Sequence, residues 1–329
     1  MGTTTTMSDD QPAGYREHDK LGPLGTHRDV LGRPVELRAV LVREFHDAIQ
    51  AARLAVTSID GNAPAAVHSS RKGLRRARAV LAMLSAALPK SERTAVRRGL
   101  QEARRALSAV RDHAVAPDTL SGLTLSEADA ATAKRVAQNA AEALPAIAEI
   151  KQLLAETAAR AAAQVEAVEA TLPSEVSWKT IAGGIRDTYD EARRARSDGK
   201  RSKRAFHAWR RRTKELEYQL ELVARHSGAR VDAIRNEIEA VASSLSPAVD
   251  LIMVREFIAT YSQGIPAEAI ASLTAAIDVQ LADLMKTTRK AARDTFRQKP
   301  RKFEKRLAKS VRRDLTPVED GDLTPSAID

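Results

Sequence analysis

Ala63-Pro64-Ala65-Ala66-Val67-His68-Ser69-Ser70-Arg71-Lys72-Gly73-Leu74-Arg75-Arg76-Ala77-Arg78-Ala79-Val80-Leu81-Ala82-Met83-Leu84 is the stretch from which the fold can be read. Pro64 has no N–H to lose and a φ already suited to a helix, so it opens one. At about 3.6 residues per turn, His68, Arg71, Arg75 and Arg78 fall along one side, flanked by Lys72 and Arg76. Val67, Leu74, Ala77, Leu81, Leu84 and Leu88 fall on the far side. One helix thus has a core face and a strongly basic face. Arg71/Arg75 and Lys72/Arg76 are like-charge pairs four residues apart, each costing a helix about 0.2–0.5 kcal/mol. No acid lies between Val67 and Leu88 to offset them. An external anion would relieve that repulsion.

The rest of the chain agrees with an all-α fold. Of its 329 residues 43% are hydrophobic but only 3% aromatic, and much of the apolar fraction is Ala, the best helix former. Runs dense in Val, Ile, Tyr and Thr are missing, so strands have little support. The formal charge is +10 and the pI about 9.9, which favours acidic partners: nucleic acid, an anionic surface or a phosphate polymer. With no cysteine there is no disulfide and no thiolate metal site, as suits a reducing compartment. No run of about 20 apolar residues is present for a membrane span, and residues 1–20 lack the apolar core of a signal peptide. The expected location is the cytoplasm.

Outward from the first stretch, residues 1–34 read as a disordered tail rich in Thr, Gly, Pro and Asp. From Val35 a helical pattern carries Leu37, Leu41, Phe45 and Ile49 to the break at Asp60-Gly61-Asn62-Ala63-Pro64. The basic helix runs to about Leu88. Ser91 is expected to cap a third helix over about 91–113, followed by a loop at Pro117–Leu123. Ala-rich helices continue to Leu172, and Pro173-Ser174 divides the chain. The second half repeats the plan, with helices over about 176–196, 201–226 and 230–245, a break at Pro247, and helices to about 313 with a bend at Pro300. The folded unit spans 35–314, in halves of about 35–172 and 175–314. Residues 315–329 form an acidic flexible tail.

The halves also share a pattern. Val67-His68-Ser69-Ser70-Arg71-Lys72 matches Phe206-His207-Ala208-Trp209-Arg210-Arg211, a His near a helix start followed three and four residues later by cations. Lys200, Lys203, His207, Arg210, Arg211 and Lys214 share one side of that helix and end in Tyr218. Trp209, Leu216, Leu220 and Val223 form its core side. Arg186 and Arg193 lie seven apart on the preceding helix, as do Arg97, Arg104 and Arg111 in the first half. Seven residues is nearly two turns, so each set predicts a line of cations suited to a linear polymer. A single basic face reads as solvated surface; two matched, His-led faces read as an internal duplication with a shared ligand. Arg111-Asp112 and Asp250 read as structural, an acid fixing the direction of a neighbouring Arg.

At His68-x-x-Arg71-x-x-x-Arg75-Arg76-x-Arg78 the chain resembles the CHAD family, a helical domain named for its histidines. The resemblance continues through Leu107-x-x-x-Arg111-Asp112 and His207-x-x-Arg210-Arg211-x-x-Lys214 with Tyr218. It implies two pseudo-symmetric four-helix bundles with a basic central groove or pore. It also implies binding of inorganic polyphosphate, and in bacteria an association with polyphosphate granules. The contacts it carries over are His68, Arg71, Lys72, Arg75, Arg76, Arg78, His207, Arg210, Arg211 and Lys214. Helical spacing adds Arg104, Arg111, Arg186 and Arg193.

Ala114 departs from the family pattern, where a second acid is frequent, and so do Glu215 and Glu217, where bases are frequent. The two Glu either weaken binding by the second half or orient its Arg row. The expected role is non-enzymatic, with no cofactor and no metal. A nucleic-acid binder is a rival, against which aromatic platforms are scarce. A phosphoanhydride-processing enzyme would need carboxylate clusters or an activated nucleophile, and no such spacing appears. A helical scaffold for an acidic protein is a third.

Overall fold

The structure is a computed structural model that describes residues 37–199 and 202–315. Among these residues there are helices and no strands. The first half holds α1 (Leu37–Thr57), α2 (Ala63–Met83), α3 (Lys90–Ala106), α4 (Ser108–Ser121), α5 (Glu127–Glu142) and α6 (Ile147–Thr171). The second holds α7 (Trp178–Asp198), α8 (Lys203–His226), α9 (Ala229–Thr260), α10 (Ala267–Ala291) and α11 (Pro300–Leu315). The expected tail over residues 1–34 lies outside the described residues, as do Lys200 and all but the first residue of the C-terminal tail.

The packing repeats once along the chain. α1 packs on α2 and α6, and α6 on α3; correspondingly α7 packs on α8 and α11, and α11 on α9. The α3–α4 pair thus matches the single long helix α9, and α5 matches α10. α1, α2, α3 and α6 group at one end and α7, α8, α9 and α11 at the other. α4 and α5 pack across onto α9 and α10, and α2 packs directly on α8. The duplication read from sequence is therefore visible as a repeated order of contacts, with α2 and α8 side by side at its centre.

Local sequence accounts for these elements. Asn62 caps α2 by accepting from Ala65 N at 3.0 Å, with Pro64 in its first turn. Ser177 and Ser202 cap α7 and α8 in the same way. α9 begins after Gly228, whose φ of 150° few side chains tolerate. Its free amides are met by the buried Asp314 carboxylate of α11, which accepts from Arg230 N and Val231 N at 3.0 Å. The apolar sides of both basic helices lie in the core: Leu74, Leu81, Trp209, Leu216, Leu220 and Val223 are all buried. One apolar cluster runs through both halves, and a smaller second one lies in the first half.

Five boundaries differ from the sequence expectation. α3 starts after Pro89 without a side-chain cap, and Ser91 lies inside it, bonded to Glu92. The third helix breaks at Leu107 (φ −87°, ψ 8°), so residues 91–113 are two helices, not one. The proposed loop at Pro117 and break at Pro247 are both helical. A Pro inside a helix costs about 3 kcal/mol. At Pro247 the lost bond belongs to the carbonyl of exposed Ser243, while Ala242, Leu245 and Ala248 are buried in the core. Burial on one side and solvation of the freed carbonyl on the other outweigh the penalty. Pro300, where a bend was expected, opens α11 as a helix separate from α10.

Candidate functional site

α2 and α8 lie side by side with their basic faces turned to a common cleft of about 990 Å³. α2 contributes His68, Arg71, Arg75 and Arg78. α3 contributes Arg104 and Arg105, and α4 contributes Arg111. α8 contributes His207, Arg210, Arg211 and Lys214. Twelve Arg and Lys line the cleft against four Asp and Glu.

The cations are held partly by neutral groups. Arg71 Nη1 donates to the Arg104 carbonyl at 3.1 Å and to Ser108 Oγ at 3.0 Å. Arg75 Nε donates to the Arg71 carbonyl at 3.3 Å, and Arg210 Nε to Ser246 Oγ at 3.2 Å. Arg78 and Arg104 each bury an Nε with no partner. Among the described residues no carboxylate lies within ion-pair distance of Arg71, Arg75, Arg78, Arg104, Arg210 or Arg211. Burial, and then the charges of Arg104, Arg75 and Arg111, lower Arg71 to about 9. Burial, followed by Arg78, Arg75 and Arg211, lowers Arg104 to about 10. Both remain cationic near neutral pH, and both shifts express the same tension: like charges crowded in a partly dry cleft without a counter-charge.

Arg111, by contrast, has carboxylate partners. Its guanidinium lies 3.5 Å from Asp112 Oδ1 and 3.3 Å from Asp250 Oδ1 on α9. The reading of these acids as anchors for Arg111 matches this geometry. Glu215 and Glu217 of α8 hold other cations: Glu217 bonds Lys214 at 2.8 Å and Glu215 bonds Arg212 at 2.7 Å.

Both imidazoles stand at the solvent-exposed rim. Burial by neighbouring atoms, then Arg75 and Lys72, lowers His68 below its ordinary value. Burial, then Arg210 and Arg211, takes His207 down to about 4. Both are neutral near pH 7 in the unliganded protein.

Four residues chosen from sequence do not line the cleft. Lys72 is exposed, one position round the helix from it. Arg76 turns to the α8 carboxylate of Glu221 and lies over the Tyr218 ring at 5.7 Å, joining the halves. Arg186 pairs with Asp187 and with Glu304 of α11. Arg193 shares that side of α7, because Tyr189 between them is fully buried against α11, stacked on Phe303 with centroids 4.0 Å apart. A buried aromatic fixes the rotation of α7 and carries both Arg away from the cleft. Arg97 lies on α3 with Arg104 but does not line this cleft, and the break at Leu107 puts Arg111 on a separate helix.

Sequence reasoning missed Arg105, Arg204 and Arg255 in the lining. Arg255 belongs to no basic row; it is positioned by Asp278 of α10 at 3.0 Å, which also holds Lys203 at 2.7 Å. Among the described residues no three His, Asp or Glu stand together as metal ligands, and no helix is long and apolar enough to cross a membrane.

The family model described as CHAD domain matches residues 41–258. The crystal structure of the CHAD domain from the plant Ricinus communis superposes with a TM-score of 0.59 at 17% identity, covering 85% of this chain and 93% of that one. That likeness is one of fold. Among curated proteins no sequence match is found. With the family model spanning well over half of the chain and the fold in agreement, this protein belongs to the CHAD family.

Proposed function

We propose that the chain binds inorganic polyphosphate in the cleft between its halves and holds it without turning it over. The observation that carries this reading is the set of six Arg from α2, α3 and α8 gathered in one cleft without a carboxylate partner. A guanidinium presents paired donors that match phosphate oxygens, and each such bond is charge-assisted. A flexible polymer with about one charge per phosphate and no bases suits a lining of repeated Arg with few other recognition groups.

The lining also argues against base recognition. Tyr218 is its one aromatic residue besides the two His, whereas single-stranded nucleic acids are held by stacking on aromatic platforms. Turnover has less support than binding. Asp112 and Asp250 are tied to Arg111 and Glu215 to Arg212, so these acids are used to hold cations. In the cell, this reading places the protein at polyphosphate-rich bodies in the cytoplasm.

The test is a filter-binding titration at matched salt against long-chain polyphosphate, single-stranded RNA and heparin, with orthophosphate release followed in the presence of Mg²⁺. The expected result is tightest binding to polyphosphate and no release. RNA binding that polyphosphate cannot displace would overturn the reading in favour of a nucleic-acid binder.

A further inference from the structure

The cleft adjoins a second cavity of about 200 Å³ between α2, α3, α7 and α8. Two side chains, Arg78 and Glu215, line both spaces. They are 6% and 7% exposed, so they form a buried partition. The two spaces differ in charge. The cleft holds three times as many cations as acids, but the second cavity sets Arg78, Arg93, Arg97 and Arg212 against Asp187, Glu191 and Glu215.

Glu215 does not swing freely. Arg212 donates through Nη1 to Glu215 Oε2 at 2.7 Å and through Nε to Glu191 Oε2 at 2.9 Å. Arg212 is itself only 15% exposed, so the clamp fixes the Glu215 carboxylate at the junction. A polyanion advancing from the cleft toward Arg93 and Arg97 would meet the Glu215 carboxylate at the junction. At short range in a poorly hydrated site, like charges repel strongly.

We infer that Glu215, clamped by Arg212, is a specificity-determining stop that confines a phosphate chain to the cleft and bars it from the second cavity. This rests on the polyphosphate reading above. Such a stop limits how many phosphates one protein covers. It also gives Glu215, an acid interrupting a basic row, a use beyond weakening that row.

The test combines two substitutions, each titrated with tripolyphosphate and with long-chain polyphosphate by calorimetry. Glu215→Gln keeps the shape and removes the charge. It should tighten long-chain binding about tenfold and raise the number of phosphates covered per protein, while tripolyphosphate changes less than about threefold. Arg97→Ala faces only the second cavity, so in the wild-type background it should change long-chain affinity less than about twofold. In the Glu215→Gln background it should cost about fivefold or more, because the chain now reaches it. Should Glu215→Gln fold poorly, Glu191→Gln removes a half-exposed carboxylate of the same cavity and should give a smaller gain of the same sign. Wild-type protein that fails to bind polyphosphate sinks the functional reading and this inference together. Wild-type protein that binds, but with Arg97→Ala equally costly in both backgrounds or neither Gln variant gaining affinity, overturns the stop alone.

Discussion

Arg111 on α4 reaches Asp250 on α9, Nη2 to Oδ1 at 3.3 Å, and so joins the two sequence halves through the wall of the cleft. Asp250 also faces Arg210, whose guanidinium is otherwise crowded by Arg75 and Arg111. One carboxylate thus offsets several cations in the empty site. Asp250→Asn keeps the shape and removes that offset. The unliganded variant should lose about 1–2 kcal/mol of stability, the range for a half-buried hydrogen bond to a charged group. Polyphosphate should restore it, because the ligand supplies the missing negative charge. Thermal melts with and without polyphosphate check this: the ligand-induced rise in Tm must be larger in Asp250→Asn than in wild type. An equal or smaller rise would show that Asp250 merely fixes geometry.

Arg75 and Arg210 come from different halves and crowd each other electrostatically. Each charge-assisted bond to phosphate is worth about 1.5–3 kcal/mol, or about 10- to 100-fold in affinity. Arg75→Ala together with Arg210→Ala should therefore weaken long-chain polyphosphate binding by about 100-fold or more. The slope of log affinity against log salt should flatten by about 1–2, if counterion release follows the rule known for nucleic acids. Arg186→Ala and Arg193→Ala, which face α11, should each change affinity less than about twofold. The same filter assay over a salt series measures all four, and a double variant that binds like wild type would remove the cleft from consideration.

The contrast between those two pairs shows where sequence reading stops. The rows on α2 and α8 were legible because each helix carries an unbroken apolar face opposite its cations, and the 3.6-residue period leaves one way to bury it. Leu74, Leu81, Trp209 and Leu216 fix the rotation, and the Arg follow. On α7 the same seven-residue Arg spacing pointed elsewhere, because Tyr189 between them enters the core and hydrogen-bonds the carbonyls of Thr295 and Gln298. An aromatic between two Arg reads equally well as part of a ligand row. Arg255 was hidden for a different reason: its positioning by Asp278 links α9 to α10, and nothing in local periodicity marks such a pairing. The break at Leu107 and the intact helix through Pro247 are both decided by packing partners distant in the chain.

Gly184 on α7 faces the α2 carbonyls of Met83 and Ala82. A Cβ there would stand 2.5 Å from Met83 O and 2.7 Å from Ala82 O. Backbone cannot yield as a flexible side chain would, so Gly184→Ala must push α7 away from α2 and loosen the junction of the halves. Overpacking of this kind costs about 1–3 kcal/mol. Gly183 next to it meets nothing within 4 Å, and Gly183→Ala should be neutral or slightly stabilising through helix propensity. Urea denaturation of the two variants side by side decides the matter, since equal stabilities would mean that the close approach of α7 to α2 is not needed.

The histidines make pH a probe of the cleft. His207 sits at about 4 in the empty site, below the ordinary value of about 6.5, because atoms crowd it and then Arg210 and Arg211 repel its charged form. A depressed base binds fewer protons folded than unfolded. Its contribution to stability is therefore full above about 6.5 and is lost as pH falls toward 4. A bound polyanion reverses the local field and lifts the His207 pKa, so binding takes up a proton. Affinity should then be flat above neutrality and should tighten as pH falls from about 6.5. Without the anion His207 is held well below its ordinary value, so the tightening expected from sequence belongs to the complex and not to a precharged site. Calorimetry in buffers of different ionisation enthalpy should register proton uptake near pH 6, and His207→Ala should reduce both the uptake and the pH dependence. His68, also lowered by burial and by Arg75 and Lys72, should contribute in the same direction. Proton release on binding would mean that the ligand sits away from both imidazoles, and pH-independent affinity in wild type would place the phosphate chain deeper, against Arg71 and Arg104 alone.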